Sequence, residues 1–278
     1  MDVFHHFGTV PDRAKGCVAA IGNFDGVHLG HQKLLNDAKA AGLALHAPAA
    51  VLTFDPHPRL FMQPDRPPFG LAGLPAKVNR LRHQRMSFCF IAKFDRYLSE
   101  TSPQDFVTEW LVGRLGVRHV IVGEDYRFGC RRCGDTDLLR SMGRRLGFGV
   151  TVVAPLRDDG GEVVSSSRIR SALASGMPRM ATGLLGRPWE VFASVRRRAG
   201  NAIVASLADC QPPGAGLYAM EALVDWDDLQ IETPLTTGRI VRCDDGSRCD
   251  LLLPREALPT NVSTFRIRLL DLVERHDG

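Results

Sequence analysis

Short apolar runs alternate with helical segments over residues 1–180 of this chain of 278 residues. Each run is as short as a buried strand, and each helical segment is long enough to form part of a crossover between parallel strands. This alternation predicts an α/β fold with a doubly wound parallel sheet, whose ligands bind at the carboxyl ends of the strands. The predicted strands are 17–21, 49–54, 88–92, 117–122 and 150–153, and the predicted helices are 32–41, 75–84, 103–115 and 136–146.

A glycine-rich turn with two histidines lies between the first predicted strand and the first predicted helix. Its sequence, GNFDGVHLGH, spans residues 22–31. The glycines let the backbone approach a ligand closely, and the N–H groups at the start of a helix favour phosphate. His28 and His31 are spaced i and i+3, so the two imidazoles can share one face of the first helical turn. The turn therefore has the residues to bind a nucleotide and to stabilise negative charge.

Two other interpretations of the histidine pair stay open on its spacing alone. A His-x-x-His pair commonly consists of two solvated or partly buried side chains without a function. The same spacing occurs in metal sites, although no third ligand follows close in this sequence. The other motifs of the chain bear on the choice between these interpretations.

The run GNFDGVHLGH resembles, almost letter for letter, the signature of the bacterial FAD synthetase family, a branch of the HxGH nucleotidyltransferases. Three further segments match family motifs in the same order. TFDPHP at 53–58 is similar to the family's turn after the second strand, VGEDYRFG at 122–129 to its VGxDFRFG loop, and SSSRIR at 165–170 to its SS[ST]xIR element. The resemblance covers residues 15–180 and implies a Rossmann-like nucleotidyltransferase domain.

The resemblance implies a reaction and a set of site residues. The phosphate of FMN attacks the α-phosphorus of ATP, which gives FAD and pyrophosphate, and Mg²⁺ neutralises the leaving pyrophosphate. The implied catalytic residues are His28, His31 and Arg168. The implied nucleotide contacts are Gly22, Asn23, Phe24, Gly30, Gly123, Asp125, Ser166 and Ser167. The implied flavin contacts are Phe54, Pro56, His57, Phe61 and Phe128. No protein ligand to a metal ion is assigned.

Two of these segments also have a physical interpretation of their own. Ser165 to Ser167 can cap a helix that begins near Arg168, exposing N–H groups and hydroxyls to phosphate oxygens, while the arginines of the element add positive charge. The prolines and Phe54 around His57 predict a stiff turn with an aromatic surface suited to a flat ring. Taken alone, either segment is also typical of an ordinary helix cap or turn.

Residues 185–278 have a different pattern, and we expect a second domain there after a first domain of residues 1–184. Short strand candidates separated by turns predict a small antiparallel β-barrel. The candidates are 190–196, 203–207, 217–224, 240–243, 251–253 and 265–273, with turns at 199–201 and 244–247.

In the resembling family, this position is occupied by a riboflavin kinase module in the bifunctional members. The ATP-binding loop of that module ends in Gly-Phe-Pro-Thr-Ala-Asn, but no Pro-Thr-Ala-Asn occurs in this chain, and a tight turn around Gly200 joins the first two predicted strands. The catalytic glutamate of the module has no recognisable counterpart in 251–259 either. We therefore expect a degenerate barrel without riboflavin kinase activity, which binds a partner or supports the first domain.

Charge and hydropathy narrow the class of protein. The net charge is +4, and the basic residues are dispersed, which disfavours nucleic acid as a partner. A local stretch of arginines either attracts nucleotides or forms a solvated helix face. The arginines of this stretch are Arg127, Arg131, Arg132, Arg140, Arg144 and Arg145.

No run reaches the roughly 18 uninterrupted apolar residues of a membrane span, and the start of the chain lacks the features of a signal peptide. We expect a cytoplasmic protein that binds no membrane.

The cysteines of the chain leave two interpretations open, free thiols or a metal or redox pair. The seven cysteines are expected to be reduced thiols, and Cys130 and Cys133 have the spacing of a zinc or redox pair without a matching second pair.

Because the second domain is altered, the chain can also be a nucleotidyltransferase with another phosphorylated acceptor, or a flavin or nucleotide binder without turnover. Turnover with any acceptor would exclude a flavin- or nucleotide-binding protein without enzymatic activity. Oligomeric state does not follow from the sequence.

Overall fold

In the computed structural model, all residues are described except 9, 66–68, 208–209, 227–228, 233–234, 243–248 and 276–278, and the side chains of 225–226, 229–232 and 242 are also left out. The contacts divide the chain into two compact units. Unit 1 comprises Met1–Asp65 and Val78–Val163, and unit 2 comprises Arg66–Lys77 and Val164–Gly278. We describe each unit by itself.

Unit 1 is built on a parallel sheet. Its strands are β1 (Asp2–His5), β2 (Val18–Ile21), β3 (Ala49–Asp55), β4 (Phe88–Lys93), β5 (His119–Gly123) and β6 (Gly149–Val153). Within the described residues the order is β1-β4-β3-β2-β5-β6, and each neighbouring pair is parallel. From β2 the chain adds β3 and β4 on one side and then β5 and β6 on the other. The winding therefore reverses at β2, where doubly wound sheets bind their ligands.

Helices connect these strands. They are α1 (Leu29–Ala44), α2 (Pro58–Met62), α3 (Leu74–His83), α4 (Arg96–Glu100), α5 (Pro103–Asp105) and α6 (Thr136–Leu146). Helix α5 continues directly into a π-helix, Phe106–Arg114, and together they occupy the helix predicted at 103–115. Among the described helices, none has both the length and the apolar character needed to cross a membrane.

The core of unit 1 confirms the predicted α/β fold. Each of the five predicted strands overlaps an observed strand, and β2 is buried along its whole length because it lies inside the sheet. Strand β1 was not predicted. It is short and half-exposed at the sheet edge, so it lacks the run of apolar residues that marks the inner strands.

The first helix differs from the prediction at both ends. We expected residues 32–41 with a stop at Gly42, whereas α1 begins at Leu29 and ends at Ala44. A Cβ at Gly42 would lie 2.8 Å from the carbonyl oxygen of Ala47. Gly42 therefore permits a close approach of the following chain and does not end the helix.

The substitution Gly42→Ala is expected to destabilise unit 1. Alanine gains about 0.5–1 kcal/mol over glycine inside a helix, but overpacking costs about 1–3 kcal/mol, so the clash with Ala47 outweighs the gain. Chemical denaturation measures the free energy of unfolding. Gly183→Ala is the matched control, since no atom lies within 4 Å of its Cβ position, and it should be neutral or stabilising. A stabilised Gly42→Ala variant would contradict the close approach.

Unit 2 contains an antiparallel barrel that follows two helices. The helices are α7 (Ser166–Ala174) and α8 (Pro178–Leu185). The strands are β7 (Trp189–Ala199), β8 (Ala202–Leu207), β9 (Gly216–Trp226), β10 (Leu229–Glu232), β11 (Thr236–Arg242), β12 (Cys249–Pro254) and β13 (Thr264–Arg275). In the described part of this unit, the order β9-β11-β12-β8-β7-β13 closes into a barrel because β13 pairs again with β9, and β10 is added beside β9.

The barrel confirms the fold predicted for the second half of the sequence. Each predicted strand overlaps an observed one, and β10 was not predicted. The turn expected at 199–201 is present, since Ala199 pairs with Ala202 and only Gly200 and Asn201 lie between β7 and β8. The turn expected at 244–247, and residue 243 of one predicted strand, lie outside the described residues.

Residues 66–77 and the helices α7 and α8 belong to the same contact unit as the barrel. The buried indole N–H of Trp189 donates to the carbonyl oxygen of Leu71 at 2.8 Å, as a buried tryptophan requires. The packing therefore changes at Val164, earlier than the domain boundary predicted after residue 184. The division of the chain into domains 1–184 and 185–278 therefore stays a prediction.

Candidate active site

Three of the sequence motifs follow neighbouring strands of the parallel sheet. The turn 22–31 follows β2, the turn 53–58 begins in β3, and the loop 122–129 begins in β5. Strand β2 lies between β3 and β5. Because parallel strands present their carboxyl ends at one edge, unit 1 brings these three motifs to the edge where the winding reverses.

The turn 22–31 has an uncommon backbone. Phe24, Gly26 and Val27 have positive φ angles of 49°, 76° and 44°, a region that residues other than glycine rarely adopt. The backbone N–H of Val27 donates to the carbonyl oxygen of Phe24 at 3.2 Å. The buried hydroxyl of Thr53 donates to the carbonyl oxygen of Asn23 at 3.2 Å, so β3 holds the turn from the neighbouring strand.

His28 is the N-cap of α1. Its backbone is extended, and its Nδ1 accepts a hydrogen bond from the backbone N–H of His31 at 3.3 Å. A neutral imidazole that accepts at Nδ1 carries its proton on Nε2. The residue is 6% exposed. His28 therefore provides an N–H donor at the positive end of the helix macrodipole, where anions bind.

The ring of His31 stacks on the ring of His28. Their centroids are 3.6 Å apart and their planes differ by 21°, so the two imidazoles share one face, as their spacing predicts. The ring of Phe24 packs against His31 at 5.2 Å. Phe24 is fully buried, and its side chain supports His31. Its role as a nucleotide contact stays a prediction. Gly22, Asn23 and Gly30 are half-buried in the same segment.

An aromatic cluster lies at the ends of β3 and β4. Phe54, which is 9% exposed, and Phe61 of α2 both pack edge-on against Phe94, with ring centroids 6.1 Å and 5.6 Å away. Phe61 and Phe94 are half-buried. The structure therefore brings two predicted flavin contacts together around a third aromatic residue, Phe94, which we did not predict. Its position two residues after the end of the predicted strand 88–92 was the available signal.

His57 has a structural role in the TFDPHP turn. Its Nδ1 accepts a hydrogen bond from the backbone N–H of Arg59 at 3.1 Å, and it is the N-cap of α2. Pro56 is exposed, and His57 is half-buried. The turn thus presents Pro56 to solvent beside a fixed imidazole.

The start of the loop 122–129 places a carboxylate at the end of β5. Asp125 is exposed, and a Cβ at Gly123 would lie 3.1 Å from its Oδ1. The glycine therefore leaves room for this carboxylate to fold back over the strand end.

Phe128, predicted as a flavin contact, belongs to the core of unit 1. It is 6% exposed, and its ring lies 5.4 Å from Tyr126 and 5.7 Å from Phe106. Its backbone pairs with Gly134, where a Cβ would lie 2.9 Å from the Phe128 ring. Neighbouring rings and backbone cover most of this side chain, and its role as a flavin contact stays a prediction. Burial also raises the pKa of the Tyr126 phenol, and nearby Arg132 opposes that rise.

The loop that follows Phe128 carries the paired cysteines and part of the arginine stretch. Cys130 is half-buried and Cys133 exposed, and the backbone N–H of Cys133 donates to the carbonyl oxygen of Cys130 at 3.2 Å. Among the described residues, no group of three or more His, Cys, Asp or Glu side chains is placed to hold a metal ion. Arg127 forms an ion pair with Asp135 at 3.0 Å. The backbone N–H of Leu138 and the Arg127 guanidinium hold the pKa of Asp135 below its usual value.

In unit 2, the serine element begins α7 as the sequence predicts. The Oγ of Ser165 accepts a hydrogen bond from the backbone N–H of Arg168 at 3.3 Å, so Ser165 is the N-cap. A guanidinium N–H of Arg170 donates to the Oγ of Ser167 at 3.0 Å. Ser166 and Arg168 are half-buried, and Ser167 is exposed. A capped helix N-terminus with an adjacent arginine has the chemistry that binds phosphate oxygens.

A protein-family comparison agrees with these motifs. The model of FAD synthetase matches residues 10–168, which is more than half of the chain. The chain belongs to the FAD synthetase family. This result confirms the resemblance that the four sequence motifs indicated.

Two relatives have the same curated name, bifunctional riboflavin kinase/FMN adenylyltransferase. The protein of Pseudomonas fluorescens is 39% identical over 181 residues, which cover 65% of this chain and 58% of that protein. The protein of Escherichia coli strain K12 is 34% identical over 226 residues, which cover 79% of this chain and 71% of that protein. The matches thus leave part of each relative without a counterpart.

One solved structure is similar in fold along the whole chain. The crystal structure described as a macrolide-efflux protein from Streptococcus pneumoniae has a TM-score of 0.77 and 21% sequence identity, and the match covers 100% of this chain and 91% of that one. At this identity the likeness supports the fold alone.

The structure adds two residues to the site that the sequence analysis missed. Thr53 opens the TFDPHP motif, and Gln32 directly follows the last residue of GNFDGVHLGH. The side-chain amide of Gln32 donates to the carbonyl oxygen of Val27 at 3.0 Å. Both residues hold the backbone of the histidine turn, a role that spacing alone does not indicate.

Proposed function

We propose that this chain transfers AMP from ATP to FMN, giving FAD and pyrophosphate. The observation that carries the proposal is the His28–His31 stack at the N-terminus of α1, at the point where the parallel sheet changes direction. The names of the relatives, which include FMN adenylyltransferase, support the choice of acceptor.

The proposed reaction needs no covalent intermediate on the protein. A phosphate oxygen of FMN attacks the α-phosphorus of ATP, the new P–O bond forms, and the bond to the β-phosphate bridging oxygen breaks as pyrophosphate leaves. The protein contributes in-line positioning and stabilisation of charge on the transferring group.

The histidine turn supplies that stabilisation. The Nε2–H of His28 and the helix N-terminus donate toward negative charge, and the stacked ring of His31 lies beside them. Donors that are already fixed before the reaction stabilise the transition state without further reorganisation. Gly22, Asn23 and Gly30 contribute backbone close to the bound phosphates.

Phosphate contacts are also proposed for the serine element and for the loop after β5. Ser166, Ser167 and Arg168 carry hydroxyl and guanidinium donors at a capped helix start. Gly123 and Asp125 are proposed as further nucleotide contacts. Arg168 is proposed as a catalytic residue because it lies in the first turn of α7, at the capped helix start.

The flavin is proposed to bind near the aromatic cluster of unit 1. Phe54 and Phe61 keep their predicted role, and Phe94 is added because both rings pack against it. Pro56 and His57 border the same turn. Phe128 stays a proposed flavin contact, although its ring is buried in the same core cluster as Phe54.

Mg²⁺ is proposed to arrive bound to ATP. The described residues do not fit a metal site formed by the protein alone, because they bring together no set of three such ligands. Mg²⁺ commonly keeps several waters and binds through substrate phosphates with one or two carboxylates. We assign no catalytic step to the ion.

The barrel is proposed to lack riboflavin kinase activity. Strands β7 and β8 are joined by Gly200 and Asn201 alone, and Gly200 has a positive φ of 56° that suits a tight turn. A long nucleotide-binding loop at this position is therefore replaced by a hairpin. Support of the first domain or binding of a partner is the role we propose for the barrel.

Product analysis tests both parts of the proposal. Purified chain is incubated with ATP and Mg²⁺, with FMN in one reaction and riboflavin in another, and the flavins are separated by chromatography. We expect FAD from FMN and no product from riboflavin, since riboflavin lacks the attacking phosphate. A reaction without ATP is the control.

Each other outcome has a defined meaning. FMN formed from riboflavin would contradict the loss of kinase activity. No FAD from FMN would contradict the proposed acceptor. Pyrophosphate release with another phosphorylated acceptor would then indicate a different nucleotidyltransferase, and nucleotide binding without turnover would indicate a binding protein.

A further inference from the structure

We infer that Gln32 is a positioning residue for His28, an inference that rests on the function proposed above. Gln32 lies in the first turn of α1. Its side-chain amide donates to the carbonyl oxygen of Val27 at 3.0 Å, and its backbone N–H donates to the carbonyl oxygen of His28 at 2.9 Å. One residue therefore holds two successive carbonyl groups.

These carbonyl groups belong to the peptide planes on either side of the His28 Cα. Because peptide groups are planar, fixing both planes fixes φ and ψ of His28 and the direction of its Cα–Cβ bond. The hydrogen bond from the backbone N–H of His31 then fixes the rotation of the imidazole. Gln32 therefore fixes the position of the His28 Cβ, and the hydrogen bond from the His31 backbone N–H fixes the orientation of the imidazole ring.

Val27 is held in a strained backbone conformation. Its φ is 44°, and it is a β-branched residue, for which this region is a genuine outlier. Strained conformations persist only where the surrounding structure over-determines them. The Gln32 amide is one such contact. Without it, Val27 is expected to relax, which rotates the peptide plane before His28 and displaces the imidazole.

The substitution Gln32→Met tests this role. Methionine keeps a similar length and helix propensity but cannot donate to Val27. We expect kcat for FAD formation to fall about tenfold or more while the KM for ATP changes little, because misplacing a group that acts on the transition state lowers kcat. Gln104→Met, at an exposed glutamine of α5, is the matched control and should keep the wild-type kcat. A wild-type kcat in Gln32→Met would overturn the inference.

Nitrogen NMR of the histidine side chains tests the same inference without substrate. We expect His28 of the free protein to show the Nε2–H tautomer, and Gln32→Met to shift its ring nitrogens while the overall fold stays intact by circular dichroism. Unchanged His28 nitrogens in the variant would overturn the inference even if activity fell. Failure of the wild type to form FAD would instead overturn the proposed function and leave this measurement valid.

A second substitution tests the route through the strained backbone of Val27, with Val27→Gly alone as the reference for the buried side chain that it removes. Glycine adopts positive φ without the steric penalty of valine. If Gln32 acts through Val27, then Val27→Gly in the Gln32→Met background should recover part of the lost kcat, and the two effects should not be additive. A further additive loss in the double variant would count against this route.

Discussion

Replacing His28 by asparagine is expected to lower the rate of FAD formation about 100- to 1,000-fold, the range for removing one preorganised donor from a developing negative charge. Asparagine is a good helix N-cap, so this variant keeps the cap of α1 and removes the Nε2–H donor. His28→Ala, which loses the cap as well, should lose at least as much activity. The measurement is the initial rate at saturating ATP and FMN.

His31→Ala is expected to fall in the same range of about 100- to 1,000-fold, because it removes the ring stacked on His28 and its share of the charge stabilisation. His5→Ala, at an exposed histidine of β1, is the matched control and should keep full activity. Wild-type rates in both His28→Asn and His31→Ala would exclude the pair from the mechanism. Loss of activity in the control as well would point to a nonspecific effect.

Replacing Glu190 by leucine is expected to destabilise the barrel by about 3–5 kcal/mol, because it leaves a buried charge without its partner. The Glu190 carboxylate accepts a hydrogen bond from Nη1 of Arg266 at 2.7 Å, and both side chains are 3% exposed. Nε of Arg268 donates to the same carboxylate at 3.1 Å. Arg268 also lies 3.4 Å from Glu221, so removal of Glu190 affects a connected group of charges.

Hydrogen exchange measured by mass spectrometry localises this effect. Peptides from β7, β9 and β13 should lose protection in Glu190→Leu, because these strands carry the charged group. The double variant Glu190→Leu with Arg266→Met should regain much of the stability, since apolar replacement of a whole buried pair is often neutral or stabilising.

An exposed ion pair provides the comparison for this experiment. The side chains of Arg179 and Asp271 are 80% and 38% exposed. Asp271→Asn should therefore change the free energy of unfolding by less than about 1 kcal/mol. Equal effects of Asp271→Asn and Glu190→Leu would contradict the importance of burial.

The accuracy of the helix predictions depended on whether local signals marked the ends. Helix α6 was predicted at its observed bounds because Asp135 caps its start and Gly147 adopts a φ of 83° after its end, both of which are local sequence signals. The start of α1 was placed too late because its cap is a histidine, which is not a common N-cap. Its end was placed too early because Gly42 resembles a C-cap but serves a close approach to Ala47.

For the site residues too, positions set by local geometry were predicted better than the surroundings of individual side chains. The motif spacing correctly placed His28 and His31 on one face, since neighbours at i and i+3 are fixed by helix geometry. Phe24 and Phe128 lie in matched motifs as well, yet both rings are buried. The motif letters do not distinguish a ring that faces a ligand from one that supports the loop.

The sequence by itself determined the alternating α/β pattern, the barrel, the family and the residues of the histidine turn. Periodicity, motif order and helix spacing depend on residues close in the chain, so they can be read from the sequence. Only the tertiary structure decided that Phe128 packs on Phe106, that Phe94 joins Phe54, and that Thr53 holds the carbonyl oxygen of Asn23. Burial and hydrogen bonding of these groups depend on segments that are distant in sequence and meet only when the sheet has formed.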